Sequence, residues 1–492
     1  MRYIIFWVII CVTLTYSSQY TIYDMNGKNR GTFNGVVNKQ LLMKFSKQFH
    51  GSVLVKKMTE TLKTHSFQTN SLLASHIDRN INLYRDSLNK DVWLEVEKND
   101  YVKICLDNKV LIWETALNSN ILNDSCLIFQ APTFVGTESI KAFFSESDSS
   151  HKINLAISMK YLDFKNEDVL LGFNEYSKAD LFMLGKSKNE DPERLTSVTA
   201  TYLVDKYPVT NCEFTQLMWD SIPTNSIHSH DVLKEIQEDW ISRKKTSVRN
   251  ANCTVHDTAA NAIPLDQAIR YANLRSIRDG LKPYYTFSPS NADREKIIPN
   301  GYIIFYRELL RDETYFIQVN IDPTSDGYRL PFYYEWMMFA RGGDKINKAP
   351  WGDSATFKEA SKYAQMKNKY SYSEKKLFTY KDACCYSEPV GELLPNGYGL
   401  YDMFGLVSEI VLMEGDFLIV NDGQPACLKG GGYWISSKTK HERESKLLFP
   451  HWERFNYGYF QPGTTMYGAG FRLIRNIGNN TTLSNTRYQE LH

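Results

Sequence analysis

Apolar and polar positions alternate most cleanly between residues 92 and 113. Val92-Trp93-Leu94-Glu95-Val96, Tyr101-Val102-Lys103-Ile104-Cys105 and Val110-Leu111-Ile112-Trp113 each read as a strand, because successive side chains of an extended chain face opposite sides. Lys98-Asn99-Asp100 and Asp107-Asn108-Lys109 separate them, and Asn and Asp favour tight turns. The three strands are therefore expected to follow one another as a meander. Leu41 to Asn89 places apolar residues at loosely helical spacing. Farther on, Pro331 suits the first turn of a helix, where its missing N–H would be unpaired anyway. Phe332, Trp336 and Phe339 or Ala340 then share one face. Thr210 or Asn211 offers an N-cap ahead of Glu213 and Phe214.

The N-terminus has another pattern. Arg2 precedes a short apolar run from Tyr3 to Leu14, and Thr15-Tyr16-Ser17 offers small residues for cleavage, the three parts of a secretory signal. The run is short for a bilayer span, which needs about 20 apolar residues. The expected organisation is a signal peptide at 1–18, a β-rich accessory domain of unknown role at 20–163, a main domain at 179–475 and a loose tail at 476–492. No later stretch is apolar enough to cross a membrane. Beyond the signal lie Cys105, Cys126, Cys212, Cys253, Cys384, Cys385 and Cys427, an odd set that leaves at least one thiol unpaired in an exported chain. Cys105 and Cys126 sit in neighbouring strand-like segments and could bridge, but spacing leaves connectivity open.

Charge narrows the function classes. Lys and Arg number 57 against 56 Asp and Glu, and Arg2 is the only charged residue among the first eighteen, so the exported chain is balanced. That excludes a nucleic-acid binder acting through whole-domain charge. No GxSxG, Walker-type loop or paired CxxC is present. His228 and His230 form an HxH pair within a polar loop, and His441-Glu442-Arg443-Glu444 lacks a second His at i+4.

Between residues 182 and 473 an ordered set of segments carries a resemblance. They are Phe182-Met183-Leu184-Gly185, Asp205-Lys206-Tyr207-Pro208-Val209-Thr210-Asn211, Pro264-Leu265-Asp266-Gln267-Ala268, Gly327-Tyr328-Arg329-Leu330-Pro331, Pro350-Trp351-Gly352-Asp353, Asn396-Gly397-Tyr398-Gly399-Leu400-Tyr401-Asp402-Met403, Lys429-Gly430-Gly431 and Gly470-Phe471-Arg472-Leu473. Together they resemble the formylglycine-generating enzyme, or sulfatase-modifying factor, family. The resemblance implies an α+β domain, the family's variant of the C-type-lectin-like fold, preceded here by the smaller β-rich domain. Arg329, Arg341, Arg472, Glu335 and Asp402 are expected to form ion pairs that organise a loop-rich core, since Arg presents a planar fork to carboxylates.

The founding activity oxidises a substrate cysteine with copper held by two thiolates between the "RGGS" strand and the final "GFR". Here no cysteine follows Cys427, so copper is not expected. The family's "GNVWEW" reads Gly405-Leu406-Val407-Ser408-Glu409-Ile410, which keeps Glu409 and loses an Asn ligand. Gln365 stands where another Asn ligand is usual, leaving at most a weak calcium site at Gln365 and Glu409. The iron-dependent sulfoxide synthases of the same family need a further His-rich domain, which the irregular His50, His65 and His76 do not supply. The expected function is an exported, non-catalytic binding or assembly protein of the bacterial cell envelope, secreted or periplasmic. Its partner would be a protein or glycan. Tyr433, Trp434, Trp452 and Tyr457 are the expected contact residues, because such rings favour interfaces and sugar stacking. The alternative is an oxidoreductase or other metal-dependent enzyme of this family using a non-standard site.

Overall fold

The computed structural model of the chain describes residues 19–23, 29–34, 53–58, 77–83, 92–144, 151–164, 167–171, 194–218, 258–261, 263, 265–289, 301–308, 313–344, 349–352, 359, 362–365, 368–371, 376–379, 389–412, 426–430 and 469–478. The apolar run 3–14, the HxH pair, Cys253, Cys384, Cys385, the contact residues Tyr433, Trp434, Trp452 and Tyr457, and the tail beyond residue 478 lie outside them. Among the described residues no helix is long and apolar enough to cross a membrane. The chain divides into two compact units, residues 1–132 with 137–155, and residues 133–136 with 156–492.

The first unit is built of strands. A seven-stranded sheet runs in the order Asn29–Asn34, Gln19–Tyr23, Val53–Met58, Ile112–Glu114, Gly136–Phe143, His151–Ile157 and Val92–Val96. A four-stranded sheet holds Arg79–Leu83, Tyr101–Leu106, Cys126–Gln130 and Ser119–Asn123. The three strands anticipated from alternation exist, but the meander does not. Val92–Val96 and Ile112–Glu114 belong to the larger sheet and Tyr101–Leu106 to the smaller. The crossover is local: the Val110 N–H bonds Asp124 O while the next N–H, Leu111, bonds Phe143 O. Alternation reports which face of a strand is buried, here Val102, Ile104 and Leu106, and not which strand lies beside it. The helical spacing read over residues 41–89 is likewise corrected, since its described pieces Val53–Met58 and Arg79–Leu83 are strands. Both are short, and sheet pairing overrides so weak a period.

Cys105 and Cys126 stand opposite each other on adjacent strands and are disulfide-bonded. The bridge closes a loop of 21 residues, so the double variant C105S/C126S is expected to lose about 3 kcal/mol of stability from the greater freedom of its unfolded chain. Urea unfolding of both proteins measures it. Cys212 is disulfide-bonded as well.

The second unit is α+β, with short sheets and three helices among its described residues. Helix α1 spans Asn211–Met218, α2 Leu265–Arg278 and α3 Tyr333–Arg341. Thr210 caps α1 reciprocally: its hydroxyl accepts the Glu213 N–H, and the Glu213 carboxylate accepts the Thr210 N–H, each at 3.3 Å. Helix α3 starts two residues later than the Pro331 signal suggests, with Phe332 as N-cap and Glu335 Oε2 accepting the Phe332 N–H at 2.8 Å. Pro331 instead offers its carbonyl to the Leu412 N–H. Gly342 ends the helix at φ 65°, a left-handed conformation that glycine adopts without strain.

Strand Thr201–Asp205 lies between Met159–Asp163 and Ile474–Ile477, and Ser408–Leu412 lies between Ala426–Lys429 and Ala469–Gly470. Trp336, Met337, Phe339 and Ala340 of α3 pack with Phe164, Tyr202, Met403, Phe404, Val411 and Ile474 in the core. Helix α3 thus gathers side chains from distant parts of the sequence onto one apolar face.

Candidate functional site

The chemistry-bearing residues of the second unit converge where the last strands meet α3. Arg472 is fully buried and meets Glu409 at 2.6–2.9 Å through Nε and Nη2. Its remaining donors reach the carbonyls of Asp205 at 3.1 Å and Tyr401 at 2.8 Å. The other side of Glu409 accepts the Trp336 indole N–H at 2.7 Å. One guanidinium therefore fastens four segments, and its countercharge is fastened in turn to α3.

A second pair repeats the logic. Arg329 holds Glu335 bidentately at 2.7 Å on both prongs and also donates to Asn476 at 2.8 Å. Of the residues singled out as ion-pair formers, Arg329, Glu335 and Arg472 are placed in pairs. Asp402 is buried but accepts a backbone N–H, that of Gly391, at 2.7 Å.

A third pair escaped sequence reasoning. Arg275 of α2 holds Asp205 bidentately at 2.7–2.8 Å, lies 4.2 Å from the Tyr328 ring centroid, and shares the carboxylate with the Leu473 N–H at 2.9 Å. Burial opposes charge on Arg275, but Asp205 outweighs it and holds the guanidinium well above its ordinary range. Asp205 stood inside a recognised segment. Nothing local, however, pointed to a partner seventy residues away.

These groups are closed on one another. Each cation of the three pairs faces a carboxylate, and the hydroxyls that donate to carboxylates, Thr201 to Asp163 at 2.8 Å and Thr324 to Asp322 at 2.6 Å, do so away from these pairs. Such fully buried pairs fix one arrangement of segments more than they add net stability, because desolvation offsets most of the attraction.

Glu409 and Gln365, joined in the calcium expectation, have other surroundings. The Glu409 carboxylate is engaged by Arg472 and Trp336. Gln365 is half-buried in a two-residue strand paired in parallel with Phe404–Gly405, and its carbonyl accepts the Leu406 N–H at 3.0 Å. Among the described residues no group of three or more His, Cys, Asp or Glu side chains could hold a metal ion. Leu406, where the resembling motif has Asn, keeps a left-handed backbone at φ 52° with its side chain fully buried. Asn tolerates that conformation better than Leu does, so the motif's Asn has a backbone reason apart from ligation.

Copper does not fit this chain. Two thiolates are needed after the Gly430 strand, and the sequence places none there. Cys105, Cys126 and Cys212 are disulfide-bonded, and Cys427 lies on the strand Ala426–Lys429 before it. Gly430 itself is buried at φ 83°, and a Cβ there would lie 2.5 Å from Met403 O and 3.1 Å from the Trp336 ring.

Comparison with known proteins gives this arrangement a family. The chaperone protein LppX of Paenibacillus barcinonensis is 30% identical over 181 residues, covering 36% of this chain and 58% of that protein. The formylglycine-generating enzyme of Thermomonospora curvata is 35% identical over 83 residues, 17% of this chain and 26% of that enzyme. The chain thus spans about a quarter to three-fifths of the curated relatives it matches. Among solved structures, Treponema denticola variable protein 1 aligns over 69% of this chain and 98% of its own at 19% identity and TM-score 0.38. CarF aligns over 65% and 99% at 20% identity and TM-score 0.34. A model of the sulfatase-modifying factor enzyme 1-like domain matches residues 174–477, well over half of the sequence. The chain belongs to the sulfatase-modifying factor, or formylglycine-generating enzyme, family.

Proposed function

We propose that this chain is an exported, non-catalytic binding or assembly protein of the cell envelope, one that keeps the family's C-type-lectin-like scaffold without the oxidase centre. The observation that carries the reading is the donor set: Cys427 is the last cysteine, upstream of the stretch where copper thiolates are required. The closure of Arg275, Arg329 and Arg472 on carboxylates supports it, since those residues hold the scaffold together and each has its charge opposed by a carboxylate. A relative described as a chaperone protein fits a role in handling other proteins. In this reading the partner is a protein or glycan of the envelope, met by Tyr433, Trp434, Trp452 and Tyr457 through ring stacking and apolar contact.

Metal analysis tests the proposal. Purified full-length protein, loaded with copper under reducing conditions and then desalted, is expected to carry far less than one copper per chain, and likewise for iron. Stoichiometric retention of either metal would overturn the non-catalytic reading.

A further inference from the structure

Asp402 has an unusual setting. Its side chain is 3% exposed, its backbone is left-handed at φ 55°, and its carboxylate accepts the N–H of Gly391, itself at φ 77°. The charged groups facing it come from each element around it. Glu392 follows Gly391 in the same turn, Glu409 stands on the strand Ser408–Leu412, and Arg472 comes from the last strand region. Lys206 lies on the neighbouring segment, with its carbonyl accepting the Tyr401 N–H. Asp402 and Glu409 are thus two buried carboxyl groups beside one guanidinium already paired with Glu409, with the exposed Glu392 adding a third negative charge nearby. The Lys206 ammonium is turned to the rings of Tyr207 and Tyr401, 5.4 and 5.2 Å from their centroids. Asp402 has no cation of its own among these groups.

We propose that Asp402 and the 389–392 turn form a pH-sensitive latch, closed over a protonated acid and loosened when that proton is lost. The closed turn also clamps Tyr207: a Cβ on Gly391 would lie 2.5 Å from that ring, whose centroid is 5.1 Å from that of Tyr401. Opening the turn lets water reach the carboxylate and frees the Tyr207–Tyr401 pair together with Lys206, so the latch gates an aromatic, cationic patch.

The sign follows from linkage. Burial pushes Asp402 up to about 6 from 3.8; the Gly391 N–H and Arg472 pull it down, and Glu409 and Glu392 raise it further. The closed form therefore binds the proton more tightly than an open, solvated form. Its advantage is complete below about pH 4 and is lost as the pH rises to about 6. A displacement of about two units changes the opening equilibrium by about 100-fold.

Hydrogen-exchange mass spectrometry of the full chain, read on peptides covering residues 389–402 and corrected for intrinsic exchange, tests this. Protection is expected to fall by up to about 100-fold between about pH 4 and about pH 7, and to stay level in Asp402→Asn, which keeps the acceptor without the charge. Glu392→Gln removes a like charge that raises Asp402, so the closed form holds the proton less tightly and protection should fall by less over the same range. Wild-type protection that does not change with pH, or an equal fall in Asp402→Asn, would overturn the latch. Should Asp402→Asn fail to fold, the wild-type profile and Glu392→Gln decide the matter between them.

Discussion

Arg472→Met is expected to lower the free energy of unfolding by about 3–5 kcal/mol, the range found when one partner of a buried ion pair is removed. The loss is not that of one contact. Methionine fills part of the volume but leaves the buried Glu409 without its cation and with only the Trp336 indole as donor. It also abandons the carbonyls of Asp205 and Tyr401. Burying a carboxylate without a cation is the dominant cost. The double variant Arg472→Met with Glu409→Leu removes both charges and should therefore lose less than the sum of the two single variants. Urea midpoints followed by tryptophan fluorescence give all the terms. Equal midpoints for Arg472→Met and wild type would show that Arg472 does not organise the core.

The second large effect comes from Gly405→Ala. Gly405 has φ 73°, and a Cβ there would lie 2.1 Å from the Gln365 carbonyl oxygen and 2.7 Å from the Gln365 nitrogen. Both are backbone atoms held in the parallel pairing of Ala364–Gln365 with Phe404–Gly405, so neither can turn aside. The left-handed backbone costs an alanine about 1–2 kcal/mol, and the forced shift of packed chain adds about 1–3 kcal/mol. Gly478→Ala is the control, because that glycine is also left-handed at φ 84° but a Cβ would meet nothing within 4 Å. It should show the backbone cost alone. Similar losses in the two variants would mean that the Gln365 strand yields to the added carbon.

These residues show what was legible in the sequence and what was not. Arg329, Glu335 and Arg472 are readable as ion-pair formers because arginine and glutamate in an otherwise apolar, glycine-rich stretch must be paired if buried. Their partners were harder. Arg329 and Glu335 are six residues apart across the start of α3, whereas Arg472 reaches back to Glu409 and Arg275 to Asp205, distances over which local pattern carries no information. Glu409 shows what a motif leaves out: its position in the motif is readable, but the contacts of its carboxylate with Arg472 and Trp336 are not. The strands of the first unit were found by alternation, while their sheets were not, because pairing is decided by register and burial at long range. The Cys105–Cys126 bridge is one that neighbouring strand-like segments allow but spacing leaves open, and the register that sets the two cysteines opposite each other decides it.

The central claim is that the family scaffold persists here without its oxidase chemistry. It is tested most directly by incubating the full-length protein, supplied with copper, a thiol reductant and oxygen, with a cysteine-containing sulfatase-type peptide, and following the peptide by mass spectrometry. The peptide's cysteine is expected to remain a thiol, while the Thermomonospora curvata enzyme run alongside converts it to the aldehyde. Formylglycine in the peptide treated with this chain would contradict the account.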